Sequence, residues 1–138
     1  MEVIVIDMDT DYQRAISDAV TPNEQRKIGR DYIMKNLRGI YILSDGKKVM
    51  ISRKTAEEYT HKAPELKLRA IPELANMLMN STLINVRCSY KLRKNFKYFE
   101  YYGTPFEING TQYVAELNIG ITAENEVVLY DVNKFKEK

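Results

Sequence analysis

The sequence is poor in the residues that most often announce chemistry. Its 138 residues hold one cysteine, Cys88, and one histidine, His61. A lone cysteine excludes an internal disulfide and a thiolate metal cage, and is the usage expected of a reducing compartment. Apolar runs are short, VIVI at 3–6 being an example, so no segment is expected to span a membrane. The first residues lack the basic-then-apolar order of a signal peptide, and the expected location is the cytoplasm. A GxxxxGK[ST] phosphate loop, a GxGxxG turn, a GxSxG elbow and an HExxH pair are all missing, which removes the commonest nucleotide-binding, hydrolase and zinc-protease signatures. DMDTD (Asp7, Asp9, Asp11) opens like a calcium loop but has neither the glycine nor the closing glutamate. No metal and no cofactor are expected.

What is present describes a globular chain. Hydrophobic residues make up 44% and charged residues 29%, enough to bury one core, so a single domain over 1–138 is expected. Within it, 1–38 forms an N-terminal strand and helices, and 39–138 the α+β core. The net charge of +2 is small but segregated. Glu2, Asp7, Asp9, Asp11, Asp18 and Glu24 face a single Arg14 at the start, whereas Arg87, Lys91, Arg93, Lys94 and Lys97 have no acid among them. Such a stretch is either a solvated cationic loop or a face for an anionic partner.

Periodicity predicts the elements. EVIVID (2–7) alternates like a strand, and 9–20 is helical with Tyr12, Ala15, Ile16 and Ala19 on one stripe. Thr21, Pro22 and Glu24 open a second helix, which Gly39 stops. A hairpin follows, 40–43 and 48–52 about Asp45-Gly46, then a short helix from Arg53 to His61 and another from Leu68 to Asn80. Strands are expected at 82–90, 96–103, 111–122 and 126–132, with Asn109-Gly110 as a tight turn. The predicted architecture is α+β: helices and a small hairpin packed on a roughly four-stranded antiparallel sheet.

Two stretches carry the functional question. In SRKTAEEYTHKAPE a helix sets Arg53, Glu57 and His61 on one face and Lys54, Glu58 and Lys62 on the next. Exposed salt-bridge ladders would look like this, and so would a histidine poised for acid/base work among cations. In RCSYKLRKNFKYFEYY (87–102) the strand puts Phe96, Tyr98, Glu100 and Tyr102 on one face and Lys97, Phe99 and Tyr101 on the other. Cations interleaved with rings suit single-stranded nucleic acid, and equally a core strand with one wet face. Metal-free RNA cleavage needs a base for the 2′-hydroxyl, an acid for the leaving oxygen and cations for the phosphorane. With a single histidine, His61 would need a carboxylate, hydroxyl or lysine as partner.

From Lys48 to Lys134 the order KVMISRKTAEEYTH, AIPELANMLMNS, KYFEYYGTPFEINGTQYVAELNIG and VVLYDV resembles the barnase/EndoU/colicin/RelE-like nuclease superfamily. Such domains occur in phage polyvalent proteins and bacterial growth-inhibition toxins. The resemblance implies a metal-independent endoribonuclease, a toxin or phage-associated effector that cleaves tRNA or other structured RNA by acid/base transesterification. It implies His61 as the acid/base, Arg53 or Lys54 as phosphate ligands, and Tyr98, Thr111 or Tyr113 as sheet-face groups. Arg87, Lys91, Arg93, Lys94, Lys97 and Tyr101 would extend the RNA surface, and an acidic immunity or antitoxin protein would be the natural partner. No position matches a general-base glutamate, Glu100 being placed only by its strand. The alternative is a non-catalytic RNA- or protein-binding module of the same fold. The catalytic expectation requires His61 and the aromatic strand to meet around one hollow.

Overall fold

The computed structural model describes residues 3–88 and 96–137. Helix α1 (Asp11–Asp18) starts at Thr10, whose hydroxyl accepts from the Gln13 amide, and buries Tyr12 and Ile16. Helix α2 (Pro22–Tyr32) is capped by Thr21, and the Glu24 carboxylate reaches back to the Val20 amide at 2.9 Å. It runs on through one π-helical turn, Ile33–Leu37. Helix α3 (Arg53–Thr60) has a reciprocal Ser52–Thr55 capping box and ends at His61, as the proline at 64 predicts.

The helix expected over 68–80 is broken. It becomes α4 (Glu65–Arg69), a 3-10 turn at Ile71–Glu73 and α5 (Leu74–Met79). Pro72 is the cause, since its ring collides with the carbonyl four residues back and supplies no N–H. That carbonyl, of Leu68, accepts instead from the Tyr12 hydroxyl at 2.6 Å, and the Arg69 carbonyl accepts from Gln13 Nε2 at 2.8 Å. The break thereby ties α4 to α1.

The sheet corrects the four-stranded antiparallel expectation: among the described residues it has seven strands and is mixed. The strands are β1 (Ile4–Val5), β2 (Gly39–Ile42), β3 (Lys48–Ile51), β4 (Thr82–Cys88), β5 (Phe96–Ile108), β6 (Thr111–Thr122) and β7 (Val127–Glu137). Their order is β1-β5-β6-β7-β3-β2, with β4 also on β5. β5, β6 and β7 form the antiparallel centre, while β1 lies parallel to β5 and β3 parallel to β7. The outer edge of β5 is long enough to take two partners. β4 pairs along Tyr98–Gly103 and β1 along Phe106–Glu107. Pro105 falls in the gap between them, where its missing N–H interrupts neither ladder.

The main core lies between the helices and one sheet face, with Tyr59, Leu68, Leu74, Met77, Tyr102, Phe106 and Leu117 buried completely or nearly so. Phe99 and Tyr101 alternate with Tyr102 and point the other way. A bulge between Phe96 and Tyr98 brings Phe96 to their side rather than to that of Tyr102, against the simple alternation. Phe96, Phe99 and Tyr130 make a second cluster there, with ring centroids 5.0 to 5.5 Å apart. A Cβ on Gly120 would come within 2.5 Å of the Phe96 ring, so this glycine makes the room the rings fill.

Candidate functional site

Helix α3 is held rigidly on its inner side. The Thr55 hydroxyl donates to the Leu129 carbonyl of β7, and the buried Tyr59 hydroxyl donates to the Lys67 carbonyl at 2.7 Å. Burial pushes the Tyr59 phenol far above its ordinary pKa, which keeps it a neutral donor. With that side spent, the row Arg53, Ala56, Glu57, Thr60 and His61 turns toward α2. From α2, Asn23, Arg26 and Arg30 project at helical spacings of three and four.

Between the two helices runs a groove of two adjoining hollows. One, of about 460 Å³, is lined by Asn23, Arg26, Arg30, Glu57, Thr60, His61 and Lys62. The other, of about 400 Å³, is lined by Arg30, Asp31, Met34, Arg53, Ala56 and Glu57. Arg30 and Glu57 belong to both. Arg26 is anchored across the groove, its Nε donating to the Ala63 carbonyl at 3.1 Å and its Nη1 to Asn23 Oδ1 at 3.3 Å. Arg53 Nε meets Glu57 Oε1 at 3.1 Å, and Asp31 accepts from Lys27 at 2.9 Å. The Lys27 ammonium, with Arg30 and Lys35 nearby, holds the Asp31 carboxyl below the usual carboxylate range. The Arg30 side chain is exposed and, among the described residues, makes no hydrogen bond or ion pair. Arg26, Arg30, Arg53 and Lys62 against Glu57 and Asp31 leave the groove net cationic.

The structure brings His61 and Arg53 to this groove and sets the other expected site residues elsewhere. Lys54 turns to the adjacent face of α3, its Nζ 5.9 Å from the Tyr130 ring. Tyr98 is half-buried on the face it shares with Glu100. Glu100 itself is buried and ion-paired with Lys47, beside the hydrogen bond from the Tyr102 hydroxyl to Asp45 at 2.8 Å. Tyr101 lies on the opposite face, 6.5 Å from Phe99. Thr111 and Tyr113 sit at the far end of the β5–β6 hairpin. Tyr113 stacks at 5.4 Å on Phe106, which stands eight residues along β5 from Tyr98, about 26 Å in an extended strand. Lys97 donates to Asn125 Oδ1 at 2.6 Å. Lys91, Arg93, Lys94 and the Arg87 side chain lie outside the described residues. Among the described residues, therefore, helix residues and the loop after α3 line the hollow and the aromatic strand does not reach it, which overturns the expected meeting of His61 with that strand; any acid/base reading has to draw on the groove's own residues.

Sequence reasoning missed Arg26 and Arg30 altogether and noted Glu57 only as a rung of a salt-bridge ladder. The spacing of Asn23, Arg26 and Arg30 was a legible signal for one polar face of α2. Residues 21–130 match the family described as large polyvalent protein-associated domain 3. The chain belongs to this family. The match starts at Thr21, the cap of α2, so both walls of the groove lie inside the large polyvalent protein-associated domain, and the acidic segment before Thr21 lies outside it. No curated protein and no solved structure matches the chain. In this large polyvalent protein-associated domain no described helix is long and apolar enough to cross a membrane. The described residues hold no group of three or more His, Cys, Asp or Glu arranged for a metal ion. Asp9 and Asp11 of DMDTD both pair with Arg14 instead.

Proposed function

We propose that the groove between α2 and α3 binds an RNA phosphodiester and cleaves it by metal-independent acid/base transesterification, with Glu57 as base and His61 as acid. The observation that carries this is their company: a carboxylate on α3 and, four residues on, the imidazole at that helix's C-cap line one hollow with Arg26, Arg30 and Lys62. In the proposed reaction Glu57 takes the 2′-hydroxyl proton as that oxygen attacks phosphorus. His61 gives a proton to the departing 5′ oxygen, leaving a 2′,3′-cyclic phosphate. The arginines neutralise the charge that builds on the non-bridging oxygens, a role for which a planar, permanently charged guanidinium is well suited. Membership of a polyvalent-protein family and the resemblance of the sequence segments to the nuclease superfamily are in keeping with this reading.

The Arg53–Glu57 ion pair favours one second reading, in which the groove holds RNA without cutting it. Incubating RNA with the protein in chelator separates the two. Cleavage should fall by roughly 10² to 10⁴ in His61→Ala and in Glu57→Gln, with circular dichroism unchanged. Equal cleavage by wild type and both variants would remove the pair from the mechanism. Binding without cleavage by the wild type would favour the second reading.

A further inference from the structure

Among the described residues the sheet ends on β2, a strand of four residues with no proline, bulge or charged side chain. Prolines, bulges and charges are the usual means by which an edge strand refuses a further neighbour. The Leu43 N–H donates to the Lys47 carbonyl at 2.9 Å, which puts the bonded pairs of the β2–β3 ladder at Leu43, Tyr41 and Gly39. Ile40 and Ile42 therefore turn their own N–H and C=O groups away from β3, toward the open edge. Their side chains are 69% and 58% exposed. Tyr41, between them, turns to the core and donates to the Leu37 carbonyl at 2.7 Å. Among the described residues, the same two isoleucines thus lack partners for both backbone and side chain. β4 exposes Leu83, Ile84 and Val86 as well, but a register shift between Leu83 and Asn85 breaks its regularity.

We infer that β2 pairs antiparallel with β2 of a second copy of this chain, about a twofold axis through Tyr41. That axis sets Ile40 opposite Ile42 of the second copy, and Ile42 opposite its Ile40. Each pair exchanges both N–H···O=C bonds, and the two isoleucine pairs sit side by side on one face of the sheet. Charge selects this occupant and this direction. Arg38 stands exposed at one end of β2, and Asp45 stands exposed just beyond the other. Antiparallel pairing brings the Arg38 of each copy beside the Asp45 of the other, whereas parallel pairing sets Arg38 against Arg38. The contact is isologous, so it closes at two copies and builds no fibre. It does not depend on what the groove between α2 and α3 binds.

A strand this short buries little area, so the expected dimer is weak, with a dissociation constant of roughly 10–100 μM. Sedimentation velocity of the full chain, over concentrations spanning that range, tests it. The wild type should pass from monomer to dimer as its concentration rises. Ile40→Lys should raise the dissociation constant at least about ten-fold, since an edge lysine opposes strand pairing. Ile42→Pro removes an N–H that points outward and leaves the β3 ladder intact, and it should weaken the dimer as much. Both changes fall on exposed side chains, and circular dichroism checks the fold. A wild type that stays monomeric throughout, or a dimer that either folded variant keeps at wild-type strength, would overturn the assignment.

Discussion

Lys62 follows His61 with a φ of 54°, a left-handed conformation that side chains with a Cβ adopt at a cost of about 1–2 kcal/mol. It is exposed and lines the hollow, so the strain is kept where a cation faces the groove. Lys62→Gly removes the strain but gives the unfolded chain more freedom, worth about 0.4–1 kcal/mol. A net gain of about 0.5–1 kcal/mol is expected in urea denaturation, together with weaker RNA binding. A lower denaturation midpoint with unchanged affinity would show that the conformation serves the fold alone. Single residues of this kind were only partly legible. His61 and Arg53 were named from the sequence because helical spacing is local. Glu100 was placed only by its strand, and nothing in that strand reveals its partner Lys47, which arrives from a hairpin far away in the chain.

Among the elements, α3 and α4 are fastened to the sheet by polar groups as well as by apolar packing. Lys67 of α4 donates to Asp131 of β7 at 2.7 Å, with side chains only 10% and 18% exposed, and its ammonium lies 4.7 Å from the Tyr59 ring. Lys67→Met leaves a buried carboxylate without its cation, and a loss of roughly 3–5 kcal/mol is expected. Adding Asp131→Asn should recover most of that loss, as a double-mutant cycle by chemical denaturation would read. A second substitution that only adds its own cost would mean the pair is not coupled. Several element boundaries were legible, because the cap at Thr21 and the turn at Asn109-Gly110 act within a few residues. The break at Pro72 was not foreseen in the helix expected over 68–80, for a proline's effect depends on how many turns precede it. The partners of the sheet were not legible at all: β1 and β3 pair with strands a hundred or nearly eighty residues away, and alternation says nothing about distant neighbours.

At the scale of the whole molecule, cations close in sequence were easier to see than cations that the fold brings together. The run from Arg87 to Lys97 is visible because its five cations fall within eleven residues. The groove cations come from α2, α3 and the loop after α3, and they converge only because both helices dock on one core. Gly29 marks how closely α2 approaches: a Cβ there would lie 2.7 Å from the Ile71 side chain. Arg30 is the most direct probe of the account, since its side chain lines both hollows and is unpaired among the described residues. Arg30→Glu leaves the core untouched and reverses the charge where the phosphodiester is proposed to lie. Cleavage of an RNA oligonucleotide in chelator should fall at least about a hundred-fold in this variant. Wild-type cleavage by Arg30→Glu, with the fold intact, would contradict the placement of the site between α2 and α3.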